Sequence, residues 1–121
     1  MEYKTTITKL GDIYGEMFEQ GLIVVFNENA PQELAELSAL HTAAKLPTDV
    51  KPGDSVQLGN KRYTVTAVGC EANHTLKKMG HCTFVFTGAD VAELDGHVVL
   101  KGNGLPELKP GSPFEIYFEL K

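Results

Sequence analysis

Residues 54–69, DSVQLGNKRYTVTAVG, constrain the fold of this chain most tightly. Val56 and Leu58 alternate with polar residues up to Gly59-Asn60, and Tyr63, Val65 and Ala67 then resume the same period of two. Alternation on both sides of a Gly-Asn pair is the signature of a β-hairpin with one buried face. Similar segments recur along the chain: YKTTITKL, LIVVF, CTFVFTG, GHVVLKG and PFEIYFEL. Turn residues separate them, among them Pro52-Gly53, Gly88, Gly102-Asn103-Gly104 and Pro110-Gly111. Many short strands at such spacing predict a mainly β fold, a barrel or sandwich-like barrel, in a single domain over 1–121. There is no internal repeat.

Two helices are expected to interrupt the strands, at about 30–41 and 73–79. The first has Pro31 in its opening turn and Glu33 at its positive end. Leu34, Leu37 and His41 fall at i, i+3 and i+7, which puts His41 at the inward edge of that helix. The second is capped by Asn73 and stopped by Gly80, with His81 immediately after it.

Composition narrows the function. The net charge of −5, with eleven basic residues scattered apart from Lys61-Arg62 and Lys77-Lys78, excludes a nucleic-acid footprint. A partner with a basic face is compatible with it. The longest apolar run, Leu22 to Phe26, is far too short to span a bilayer, and MEYKTTITKL lacks the apolar segment of a signal peptide. The expectation is a cytoplasmic protein without direct membrane insertion, whose Cys70 and Cys82 are reduced, buried thiols.

Four histidines carry the remaining chemical interest. Periodicity alone reads His41 as structural, capping carbonyls at a helix end. The sharper reading is a nucleophile, since a neutral imidazole can take up and release a phosphoryl group. Such a relay needs the ring open to solvent at a docking surface. His81 is either bonded within its own turn or a donor to that group; His74 and His97 read as ordinary surface or strand residues. The set Cys70, His74, His81, Cys82 has the spacing C-x3-H-x6-H-C, which matches no common zinc framework, so no metal is expected. VKPGDSVQLG resembles a swinging-arm carrier barrel, but no lysine stands at a hairpin tip to accept a cofactor. No Walker loop, Ser-His-Asp spacing or paired-carboxylate site is present, and no cofactor is expected.

A resemblance extends over the whole length. It is carried by Thr5-Thr6-Ile7-Thr8, Phe26, Ala30-Pro31, Leu34, His41, Pro52-Gly53, Leu58-Gly59 and Arg62-Tyr63. It continues through Val65-Thr66-Ala67-Val68-Gly69, Leu76, Gly80-His81, Thr83, Phe86 and Pro110-Gly111-Ser112. On these residues the chain resembles the glucitol/sorbitol-specific enzyme IIA of the bacterial sugar phosphotransferase system. The resemblance implies that His41 is the phosphoryl acceptor. It further implies that a histidine-containing phosphocarrier protein is the donor and a sugar-specific membrane permease (enzyme IIB/IIC) the recipient. His81 matches the family's Gly-His pair and is expected to stabilise the phosphoryl group. Thr66 and backbone N–H groups near Gly69 are expected as further donors, and Gly80 allows close approach. The interface is expected to be small and transient. The alternative is a non-catalytic sugar-sensing module on the same barrel.

Overall fold

The computed structural model describes residues 2–119 and contains eight strands closed into one barrel. The strands are β1 (Glu2–Leu10), β2 (Leu22–Asn27), β3 (Ser38–His41), β4 (Ser55–Leu58), β5 (Lys61–Val68), β6 (Cys82–Val85), β7 (His97–Lys101) and β8 (Pro113–Tyr117). Around the barrel they run β1-β3-β2-β6-β7-β5-β4-β8, with β8 closing on β1. Most pairs are antiparallel; β2–β3 and β6–β7 are parallel. The hairpin of β4 and β5 is present, Leu58 facing Lys61 across Gly59-Asn60.

Alternation explains which side chains fill the barrel. Tyr3, Thr5 and Ile7 of β1, Tyr63, Val65 and Ala67 of β5, and Phe114 and Ile116 of β8 all turn inward and are buried. Each large apolar side chain so buried stabilises the fold by about 1.5–3 kcal/mol. β2 breaks the pattern, with Ile23 to Phe26 buried on both faces, as its unbroken apolar run requires. A helix missing from the sequence reading, α1 (Tyr14–Glu19), packs against β2 and stacks Tyr14 on Phe18, centroids 5.9 Å apart. Nothing in GDIYGEMFEQG announces it: it has Gly15 inside and no side-chain cap.

The helix expected over 30–41 is reduced to one turn, α2 (Gln32–Ala35). Residues 38–41 are instead β3, buried throughout and hydrogen-bonded to β1 on one side and β2 on the other. Without this strand the sheet would be open between β1 and β2, so pairing overrides the helical period. Leu34, expected to face inward, is exposed. The other expected helix stands as α3 (Ala72–Met79), ended by Gly80 in the left-handed region at φ 63°. Asn73 does not cap it: its side chain accepts from Val50 N at 2.7 Å and donates to Val50 O at 3.0 Å, tying the long 42–54 connection to the helix. Ala72 and Leu76 belong to the core, so α3 closes one end of the barrel. The two cysteines are free, as expected, but only Cys82 is buried; Cys70 is exposed at the turn before α3.

Candidate functional site

His41 ends β3, where its register partners are Ile7 of β1 and Asn27 of β2. Ile7 is an inward residue, so the imidazole also turns inward, at the barrel end that α3 covers. Its ring meets Phe114 edge-on at 4.9 Å. The ring is fully buried, 0% exposed, and therefore not the open surface histidine that a relay was expected to need.

Both ring nitrogens face main-chain carbonyls. Nδ1 lies 2.8 Å from Thr42 O and Nε2 lies 2.8 Å from Gly80 O. A neutral imidazole carries one N–H and donates to one of them; only the imidazolium donates to both. Burial opposes the charge and, as the largest influence, lowers the His41 pKa; the two carbonyls and the nearby Glu28 carboxylate work against that shift. A phosphorus atom bonded to nitrogen needs the space that either carbonyl oxygen now fills. This arrangement is a closed one.

Gly80 is what lets the chain approach so near. A Cβ there would lie 2.1 Å from Asn27 Oδ1 and 2.7 Å from His41 Cε1, and the backbone φ is itself positive. Both the space and the conformation require glycine. Asn27 Oδ1 is buried and accepts no hydrogen bond among the described residues. Such a group costs about 1–3 kcal/mol and asks for an explanation. Asn27 was missed in the sequence reading; its signal is a polar residue closing the apolar run of β2.

His81 follows Gly80 and is half-buried. Its ring stacks on Phe26, centroids 4.6 Å apart, and Nδ1–H donates to Val25 O at 3.1 Å. That bond leaves Nε2 as the nitrogen directed elsewhere, a donor only when the ring is protonated. Gly80 and His81 thus lie at the same barrel end as His41.

Thr66 and Gly69 do not. They belong to β5 and the turn after it, four strands around the barrel from β3. Thr66 Oγ1 already donates to Ala89 O at 2.7 Å, and Gly69 N to His97 O at 2.8 Å. Strand spacing alone could not reveal this, because it does not say which strands are neighbours. His74 is exposed on α3, and His97 opens β7. Among the described residues no group of three or more His, Cys, Asp or Glu is placed to hold a metal ion, and no helix is long and apolar enough to cross a membrane.

The barrel matches that of a solved protein. The crystal structure of a PTS system IIA component from Enterococcus faecalis superposes with a TM-score of 0.84 at 24% identity, over 95% of this chain and 99% of that one. The fold is thus that of a IIA component. Residues 2–115 match the family model for the PTS system glucitol/sorbitol-specific IIA component. Relatives of that name from Shigella flexneri and Escherichia coli are each 36% identical over 110 residues, spanning 91% of this chain and 89% of theirs. The chain belongs to the glucitol/sorbitol-specific IIA family and is a phosphoryl relay protein of the phosphotransferase system. A phosphocarrier and a sugar-specific permease are the general partners of such a component.

Proposed function

We propose that His41 is the phosphoryl acceptor, taking the group as a phosphohistidine from a histidine-containing phosphocarrier and yielding it to the permease of a glucitol/sorbitol-type polyol. The observation that carries this reading is the imidazole fixed in orientation between two carbonyls, each 2.8 Å from a ring nitrogen, beneath a glycine at which a Cβ would strike the ring. A ring so oriented presents a nitrogen in a fixed direction once one carbonyl withdraws, and positioning supplies much of the catalysis of phosphoryl transfer. Docking of the phosphocarrier is the event that opens the site. His81, one residue from the carbonyl that must move, donates from Nε2 to a phosphoryl oxygen when its ring carries both protons. The acidic balance of the chain favours encounter with a basic partner face.

The family assignment removes the non-catalytic sugar-sensing alternative. A second reading is favoured by one observation: His81 is half-exposed and its Nε2 is bonded to no group among the described residues, which would make it the easier imidazole to reach. Incubation with phosphoenolpyruvate and the general transfer proteins, followed by peptide mapping of the added phosphoryl mass, decides between them. The expected location is the peptide around His41; a label on the peptide containing His81 reverses the assignment.

A further inference from the structure

Asn27 and His41 end the parallel strands β2 and β3 as direct register partners, so both side chains point to the inner end of the barrel. Gly80 lies over both, since its missing Cβ would strike Asn27 Oδ1, Asn27 Cγ and His41 Cε1. The carboxamide and the ring therefore flank one glycine, on the side of Nε2.

The groups set around the ring are poor company for a phosphoryl group. Two are carbonyl oxygens, one is the Phe114 ring, and Glu28 adds negative charge. Asn27 is the exception. Its Oδ1 is buried without a hydrogen bond, and a half-turn of the carboxamide would put Nδ2–H in the same place. An acceptor that finds no partner in the closed site becomes a donor aimed at the position where an anion would arrive.

We infer that Asn27 is the phosphoryl-binding residue of this protein, donating from Nδ2 to an oxygen of a phosphoryl group carried on Nε2 of His41. The inference rests on the reading of His41 as acceptor. In the transfer, Gly80 O gives up Nε2 and His41 keeps its single N–H on Nδ1, bonded to Thr42 O. The Nε2 lone pair forms the new P–N bond as the P–N bond of the carrier's phosphohistidine breaks. The electron pair of that bond returns to the carrier's imidazole. The unit moved is PO3 with one negative charge, and no proton need change places. The turned Asn27 amide then holds a phosphoryl oxygen, offsetting the carbonyl-rich end of α3.

The test uses full-length protein phosphorylated by phosphoenolpyruvate and the general transfer proteins. Long-range proton–nitrogen NMR of the phosphoprotein assigns the modified nitrogen, and quenched-flow labelling gives the rate of uptake for wild type, Asn27→Ala and Asn27→Asp. The expected result is phosphoryl on Nε2, with uptake slowed about 10²-fold by Asn27→Ala and further by Asn27→Asp, which places a carboxylate where a donor is needed. Uptake at the wild-type rate in both variants overturns the inference and leaves His41 as acceptor. Phosphoryl on Nδ1 of His41 does the same with no variant required. Phosphoryl on another residue of the wild-type protein overturns the reading of His41, and this inference with it.

Discussion

Nε2 of His41 lies 2.8 Å from the carbonyl oxygen of Gly80, a residue 39 positions further along the chain. This contact joins the end of a central strand to the end of the helix that closes the barrel. Whatever exposes the imidazole must therefore act on the α3–β6 junction or on the Thr42 peptide.

Gly80→Ala should harm both stability and function. The added methyl meets Asn27 and His41 well inside contact distance at a positive φ. Left-handed backbone costs roughly 1–2 kcal/mol, and overpacking roughly 1–3 kcal/mol more. A melting temperature within one degree of wild type would refute the close approach described for this residue.

His81→Ala should still accept phosphoryl on His41, but about 10² to 10³ times more slowly, the range for loss of one preorganised donor. Rapid-quench labelling measures this directly. An unchanged rate would reduce His81 to its stacking on Phe26.

The pH dependence of stability follows from the burial of His41. Its folded pKa lies below the ordinary value, so in acid the unfolded chain binds a proton that the folded protein resists. His41 contributes stability that is fully present above the unfolded pKa of about 6.5. That contribution is lost as pH falls below it. Denaturant titrations between about pH 7.5 and pH 5 should show this loss in wild type and a flatter profile in His41→Gln, in a window mostly above the carboxylate pKa values.

Asn73→Ala should loosen the 42–54 connection, because both Val50 hydrogen bonds disappear together. The expected destabilisation is about 1–3 kcal/mol, with faster amide exchange at Val50 than elsewhere in the core. Exchange at Val50 no faster than in wild type would show the tie to be redundant.

Thiol labelling of the native protein should modify Cys70 alone. Cys70 is exposed, though the nearby Asp95 carboxylate raises its pKa and slows reaction near neutrality. Cys82 is fully buried, and burial raises its pKa strongly. Mass spectrometry after brief alkylation should find one adduct before unfolding and two after it.

Most strands were legible in the sequence because barrel strands with one buried face must alternate, and the hairpin at Gly59-Asn60 carries its own turn residues. β3 was not legible. Leu34, Leu37 and His41 do fall at helical spacing, yet Ser38 to His41 are claimed by hydrogen bonds to two strands distant in sequence. Those partners can only be known once strand order is known. The same ignorance put Thr66 and Gly69 beside His41, when they sit across the barrel and their polar groups are committed to main-chain carbonyls. Gly80 and His81 were legible because a glycine that stops a helix is a local feature. Asn27 showed locally only as a polar residue closing an apolar run; placing it beside His41 needed the register of a parallel pair.

Closure of the sheet has a bearing on how this protein can be recognised. With all eight strands flanked on both sides, a visiting protein has no vacant ladder position to join. With His41 as the proposed acceptor, recognition falls to side chains around the covered mouth, where contacts form and release without breaking any main-chain pairing. One surface of that kind can serve a donor and a recipient in alternation, and fast exchange between them is what a relay requires.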